Sequence, residues 1–230
     1  MYKTELHCHS AEVSLCGKIY SDEIVSKYVE AGYTTVCLTN HFSESMFKHK
    51  RLLMSDVPWD EKVDYFMHGY HELCRAAEGK LNIILGIEMR FQEDGANDYL
   101  LIGITEEFLR SNPDILDKGM KFASQRFRDA GMLIIQAHPF RDGMKIMRPE
   151  YIDGIEIYNG HIGHDSRNDV ARHWAEKFDL IRTSGTDTHR SIHIPCGGIL
   201  TEEPILTSEQ LLDTLKSGRY ELICDGTVPK

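Results

Sequence analysis

Residues 3–10 read KTELHCHS, a short run that carries Leu6 at its centre and closes on two histidines, His7 and His9, one residue apart. In an extended segment the side chains at i and i+2 project to the same side of the sheet. His7 and His9 can therefore grip one ion together while Cys8 faces away. The segment SGTDTH repeats this geometry near the other end of the chain with Asp187 and His189, and Thr188 is expected to face away there. Between these pairs, three more short apolar runs end in a histidine or a carboxylate, at His41, Glu88 and His138. Imidazole and carboxylate are the ligands that zinc, manganese and iron accept. A single HxH in a chain with 12 histidines would carry little weight,. Five strand ends furnished alike point instead to a metal site at one rim of a barrel.

Working outward from residues 3–10, periodicity and turn signals predict an alternation of strands and helices. Lys3 to His7 reads as a strand, and Asp22 to Ala31 as a helix opened by Ser21 and closed by Gly32. Thr35 to Leu38 reads as the second strand. The segment Phe42 to Val57, rich in Met, Lys and Ser, lacks strand character and is expected to pass over the site as a lid. A helix is predicted over Asp60 to Glu78, then strands over Asn82 to Ile87 and Tyr99 to Ile104. Further helices are expected over Leu116 to Ala130, Asp169 to Phe178 and Glu209 to Lys216, the last started by Ser208. The remaining strands are Leu133 to Ala137, Gly154 to Tyr158 and Leu180 to Thr183. This order favours an α/β fold with a mostly parallel sheet and crossover connections. Closing that sheet into a barrel gathers the ligands from different strand ends onto its C-terminal face.

Length and composition are consistent with one soluble domain over residues 1–230. Hydrophobic residues make up 41% and charged residues 27% of the chain. No apolar stretch approaches the roughly 20 residues that cross a bilayer, and MYKTELHCHS lacks the layout of a secretion signal, so a cytoplasmic location is expected. The cysteines at 8, 16, 37, 74, 196 and 224 form no CxxC pair, which suggests neither a disulfide framework nor a thiolate zinc finger,. A formal net charge of −10 repels a phosphate backbone and makes general nucleic-acid binding unfavourable,. A small molecule is the expected partner.

The set ELHCHS, TNHF, GIE, AHPF, GIEIYN and GTDTHR, spread from the first strand to about residue 198, resembles the PHP (polymerase and histidinol phosphatase) family. That resemblance implies a distorted (β/α)7 TIM-like barrel, with the metal site at the C-terminal rim of its strands, holding two or three divalent ions of the Zn, Mn or Fe type. By motif, His7, His9, His41, Glu88, His138, Asp187 and His189 take the places of metal ligands, with Glu88 as the bridging carboxylate. The family's loop after HxH supplies one more ligand. Here it reads SAEVSLCGK, and Glu12 is the candidate, with Cys16 in reserve. Asn40 stands where the family has an Asp, and is expected to orient a ligand rather than to be one. No histidine lies near Gly103, Ile104 or Thr105, where trinuclear members place a ligand, so two ions are the expected count and three the alternative.

Each residue also has a plain structural reading. His41 alone could cap a turn, and His138 before Pro139 could mark the end of a strand. Glu88 at the end of an apolar run would be costly to bury without a partner, and a metal offsets that cost. Arg141 and Arg190 would stand near the rim, where guanidinium forks suit phosphate oxygens, although surface arginines are common. His161, with His164, could line the substrate entrance, act as a proton donor, or be a solvent-exposed loop residue. His49, His68, His71 and His173 are expected to bind no metal, and His193 is left open.

The resemblance implies a hydrolase that cleaves a small phosphomonoester, of the sugar, nucleotide or histidinol phosphate type. Its hydroxide would come from water activated by the metals, and Glu88, Asp187 and His189 would carry the catalysis. Arg141, Arg190 and His161 would bind substrate, and His161 or His189 could serve the leaving group. Two alternatives remain: a metal-dependent amidohydrolase, and a non-catalytic metal-binding module of the kind associated with polymerases.

Overall fold

The computed structural model describes residues 1–193 and 195–225. The opening strand β1 (Tyr2–Cys8) is followed by helix α1 (Ser21–Glu30) and by β2 (Tyr33–Leu38), which pairs with β1 in parallel. Helix α1 sets Ile24, Val25 and Tyr28 on one buried face, the spacing of an amphipathic helix, and the chain leaves it through Gly32 at φ +76°,. Ser21 is its first helical residue rather than its cap. Its backbone N–H and hydroxyl both donate to Oε1 of Glu12, at 2.8 and 2.7 Å.

The segment expected to be a lid is anchored at its start. A short strand β3 (His41–Ser43) and helix α2 (Glu44–Phe47) precede the long helix α3 (Trp59–Ala77). Phe42 and Phe47 are buried and meet edge to face, so this stretch belongs to the core as much as to the rim,. Strand β4 (Asn82–Arg90) pairs in parallel with both β2 and β3, and sets His41 directly beside Glu88.

Strand β5 (Tyr99–Ile102) departs from the predicted alternation. Only a single 3-10 turn, Gln92–Asp94, separates it from β4, too little chain for a crossover, so β5 returns antiparallel,. Helices α4 (Glu106–Ser111) and α5 (Gly119–Asp129) follow, then β6 (Leu133–Gln136), again antiparallel to β5. Strand β7 (Gly154–Asn159), helix α6 (Asn168–Phe178) and β8 (Ile181–Gly185) restore the parallel direction.

The run β1-β2-β4-β5-β6-β7-β8 curls until its ends meet. Closure occurs only at the rim, where the backbone N–H of Asp187 donates to the His7 carbonyl at 2.8 Å and that of His9 to Thr188 at 3.0 Å. Lower down, β1 takes a different neighbour. Tyr2, Lys3 and Thr4 pair antiparallel with β9 (Ile199–Thr201), and β10 (Glu221–Leu222) adds to β9 beyond helix α7 (Ser208–Ser217). Sequence periodicity predicts neither short strand. Helix α7 is capped by Thr207 in a reciprocal pair with Gln210, one residue before the expected Ser208,. Cys8 and Thr188 face away from the site as expected: Cys8 packs with Ile24 and Tyr28, and Thr188 meets the Tyr28 hydroxyl at 2.7 Å.

Candidate metal centre

His7 and His9 end β1 with both rings fully buried, and their Nε2 atoms stand 3.1 Å apart. Two carboxylates close on them from opposite staves. Glu88 on β4 places Oε1 3.4 Å from His7 Nε2 and Oε2 3.3 Å from His9 Nε2. Asp187, just past β8, places Oδ1 3.4 Å from each of the same nitrogens. Four groups from three strand ends thus converge at spacings typical of atoms that share an ion.

Three more imidazoles complete the ring. His41 Nδ1 lies 2.8 Å from Glu88 Oε2, and His138 Nε2 lies 3.1 Å from Glu88 Oε1 and 4.0 Å from Asp187 Oδ2. His189 Nδ1 lies 3.0 Å from the carbonyl of Asp187 and 3.1 Å from its Oδ1. His138 and Asp187 hold left-handed backbones at φ 29° and φ 54°, a strained state that clusters where function demands a fixed aim,.

The donor set fits divalent cations. Glu88 Oε2 and Asp187 Oδ1 are buried oxygens that make no well-formed hydrogen bond despite the imidazole nitrogens close to them, and His9 Nδ1 and His138 Nδ1 are buried nitrogens without a hydrogen-bond partner. A buried carboxylate oxygen left in that state is costly unless a cation meets it. Among the described residues, five three-residue groups are able to hold an ion: His7/His9/Glu88, His7/His138/Asp187, His9/His41/His189, His41/Glu88/Asp98 and His161/His189/His193.

The charges around the site confirm its polarity. Burial opposes the charged form of His7, yet the carboxylates of Asp187, Glu156 and Glu88 outweigh it and hold the ring well above the usual imidazole range,. His41 is raised against its burial by Glu88 in the same way, and His189 rises to about 10 against its burial, mainly through Asp187. Burial would raise Glu88 and Asp187, but the histidines hold both carboxyls well below their ordinary range.

Several of these partners were not foreseen. Glu156, in the middle of the buried strand β7, places Oε1 2.9 Å from His7 Nδ1 and accepts the backbone N–H of His138 on its other oxygen, also at 2.9 Å. A carboxylate there fixes which His7 nitrogen faces the site. Asp98, fully buried, lies just before β5 with Oδ2 3.9 Å from His138 Nε2. The sequence argument looks for a ligand near residues 103–105, at the end of a parallel strand. Because β5 runs antiparallel, its beginning and not its end reaches this rim.

Asp98 also gathers cations. It accepts from Arg90 Nε at 2.7 Å and Nη2 at 2.6 Å, and from Arg141 Nη2 at 3.3 Å. Arg90, Arg141 and Arg190 all line a cavity of about 500 Å³ that opens over Glu88, His138 and Asp187. His161 and His164 line it too, stacked at 4.5 Å, and His164 Nε2 stands 3.7 Å from Asp187 Oδ2. His161 is pushed down to about 4, first by burial, which Asp187 opposes and the nearby histidines reinforce. His193 is buried and accepts the His189 backbone N–H at 3.0 Å, which makes it a support for that residue.

Glu12 stands apart from this cluster. Its Oε1 accepts from Ser21 at the start of α1, its Oε2 is buried without a hydrogen-bond partner, and the residue does not line the cavity. Asn40 does not touch a ligand side chain either; it accepts from Ser10 N and Ser14 Oγ, both at 2.8 Å, and so knits the loop after HxH to the end of β2. That loop brings Cys16, the reserve residue, to the rim, with Sγ 3.1 Å from His189 Nε2.

A family model described as PHP domain matches residues 5–196. No curated protein matches the chain. Among solved structures, a two-domain protein from Bacteroides vulgatus containing a predicted PHP-like metal-dependent phosphoesterase superposes with a TM-score of 0.67 at 18% identity. The alignment covers 99% of this chain and 66% of that one, so the chain spans just under two thirds of that protein. A candidate metal-dependent phosphoesterase from Bifidobacterium adolescentis gives 0.57 at 14% identity, with 94% of this chain and 96% of that one covered. An amidohydrolase from Chromobacterium violaceum, solved with sulfate and no metal, gives 0.58 at 15% identity, with 93% and 96% covered. At these identities the structural likenesses speak to the fold.

Proposed function

The chain belongs to the PHP domain family, and from that premise we propose that it hydrolyses a phosphomonoester of a small metabolite at the rim centre described above. One observation carries the reading. Unpartnered buried oxygens of Glu88 and Asp187 face converging imidazoles at the floor of a cavity whose wall carries Arg90, Arg141 and Arg190.

His7, His9, Glu88, Asp187, His138, His41 and His189 are the residues that would hold two divalent ions of the zinc, manganese or iron class, with Asp98 available should a third be present. Such ions supply an acidified water and charge neutralisation for phosphoryl oxygens. Glu88 spans the floor, with its two oxygens turned toward different histidines, and so fixes the spacing between the two halves of the site. Glu156 holds His7, and the carbonyl of Asp187 holds His189, each through the ring nitrogen turned from the centre,.

Arg90 and Arg141 are oriented by Asp98 and, with Arg190, can offer guanidinium forks to a phosphate ester,. His161 is neutral at pH 7, given its depressed pKa, which suits it to hydrogen-bond a substrate oxygen and not to donate a proton to an alkoxide,.

The test is a screen of phosphorylated metabolites on protein whose bound metals are counted by elemental analysis, with simple amides assayed in parallel. Phosphate release that disappears together with metal in His9→Ala and Asp187→Ala supports the reading. Turnover of amides alone would transfer the site to the amidohydrolase alternative, and full metal loading without any turnover would favour a non-catalytic module.

A further inference from the structure

We propose that Cys16 is a metal ligand, supplying a thiolate beside His9, His41 and His189 and committing one position of the centre to a zinc-class ion. The inference rests on the metal reading of the same site and adds the identity of a donor that this reading does not contain.

The loop that follows β1 is built to deliver this sulfur. Ser14 N donates to Ser10 O at 3.1 Å, Gly17 N to Ser14 O at 3.0 Å, and Lys18 N to the carbonyl of His189 at 2.6 Å. The last bond ties the chain two residues beyond Cys16 to the residue whose ring it meets. Asn40 locks the same loop from below through Ser10 and Ser14, and His41 N donates to Ser14 Oγ at 3.2 Å. Cys16 lines the cavity as an exposed residue while Cys8 and Cys37 are buried in the core.

The histidines around it face the right way. His189 lies with Nδ1 against the Asp187 carbonyl, which accepts its proton, so Nε2 is the ring nitrogen left for a metal, and it stands 3.1 Å from Cys16 Sγ,. His9, His41 and His189 already bring their ligand atoms within 4.8 Å of one another. Glu88 adds a second, independent sign: it lines the same cavity as Cys16, and its buried Oε2 makes no well-formed hydrogen bond. Glu12, the other candidate from this loop, accepts from Ser21 through Oε1 and does not line the cavity, whereas Cys16 does.

The spacing is compatible with a shared ion. Ligands of one tetrahedral zinc, at about 2.0 Å for nitrogen and 2.3 Å for sulfur, stand roughly 3.5 Å apart. The observed 3.1 Å between sulfur and His189 Nε2 would open by a few tenths of an ångström. Binding replaces the hydrogen bond between sulfur and Nε2 with two bonds to the cation, and the protons held by the sulfur and Nε2 leave to solvent. Thiolate is a soft donor, and it biases the position toward zinc over manganese or magnesium.

The experiment uses the full chain, stripped with chelator and reloaded with cobalt(II), with bound metal counted by elemental analysis. The expected result is a near-ultraviolet thiolate-to-cobalt charge-transfer band that Cys16→Ser abolishes while the visible d–d bands persist. Cobalt bound without that band, or a band that survives in Cys16→Ser, would overturn the thiolate assignment and leave the metal centre standing. Failure to retain any cobalt would overturn both. Should Cys16→Ser fail to fold, the wild-type chain gives a second reading: iodoacetamide labelling of Cys16, mapped by mass spectrometry, should slow at least about tenfold when zinc is bound, since the coordinated sulfur is no longer a free nucleophile. Equal labelling with and without zinc would also overturn the assignment.

Discussion

His7 Nδ1 and Glu156 Oε1 stand 2.9 Å apart in the interior of the barrel, where neither side chain is exposed. The carboxylate accepts the Nδ1 proton, so Nε2, the atom that faces His9, Glu88 and Asp187, is the nitrogen left to bind a metal once its own proton is expelled. Glu156→Gln keeps the volume but weakens that acceptor and the one that receives His138 N. Metal affinity should fall by about 10–100-fold, the effect of losing a partner behind a ligand. Titration calorimetry on the stripped chain reads it directly. Unchanged affinity would mean that His7 keeps its orientation by packing alone.

Asp98 governs the cationic wall in a comparable way. With Asp98→Asn, Arg90 loses its paired charge and Arg141 its nearer anchor. Two guanidinium groups that drift by an ångström no longer present a fork to the phosphoryl oxygens. KM for a phosphoester substrate should rise about tenfold, near 1.4 kcal/mol, with the metal count unchanged. If elemental analysis shows that metal departs instead, the carboxylate is itself a ligand, and Arg90 and Arg141 serve it.

These two residues also mark where reading the sequence stops. The ligand-bearing strand ends are legible because Leu133–Gln136 and Gly154–Asn159 are mostly apolar runs, buried at every position, and His138 follows the first of them after one residue,. The direction of β5 leaves no such trace, since YLLI is equally apolar read either way, and the missing crossover helix is the signal that Asp98 needed. Glu156 is a charge inside a fully buried run, which itself announces a partner, but nothing local names His7. Glu12 shows the complementary limit: a loop carboxylate oxygen goes to whichever donor the tertiary fold brings closest, and for Oε1 that is Ser21. Strands of three and two residues, β9 and β10, are too short for any period to show.

Protons and metal compete for this centre, which fixes the pH response of the stripped chain. His7, His41 and His189 have raised values in the fold, so the stability they contribute is full below about 6.5, the unfolded imidazole value. It is lost as pH rises, with the His189 share gone once pH passes about 10. Glu88 and Asp187 are lowered, so their contribution is present above the ordinary carboxyl range and lost as pH falls through their folded values. Metal-free protein should therefore be most stable between about pH 4.5 and 6.5 and weaken toward pH 9. Metal binding must expel those imidazole protons, so the gain in Tm on adding zinc should grow over the same interval. Thermal melts from pH 4 to 9, with and without zinc, measure both trends. A stripped chain most stable at pH 9 would contradict the charge arrangement.

Closure of the barrel depends on two glycines that touch. A Cβ on Gly197 would meet the carbonyl carbon of Gly185 at 2.2 Å, and one on Gly185 would meet His7 Cβ at 2.4 Å and Glu156 Oε1 at 2.6 Å. Both clashes involve backbone or fully buried groups, so neither can be relieved by turning an exposed side chain. Each alanine should cost at least about 1–3 kcal/mol, the usual range for overpacking, and lower Tm by roughly 2–4 °C per kcal/mol in a chain of this size. The two should differ in their second effect. Gly185→Ala pushes on His7 and Glu156 together and should weaken metal affinity as well as stability. Gly197→Ala presses on the backbone of Gly185 and Thr186 and on no ligand side chain, and should leave affinity within a few-fold of the parent once the protein is folded. Denaturant unfolding and metal titration of the two variants separate these outcomes. Parent-like stability in Gly185→Ala would show that β8 can move away from β1 without loss, and that the rim contacts between Asp187 and His7 do not hold the barrel shut.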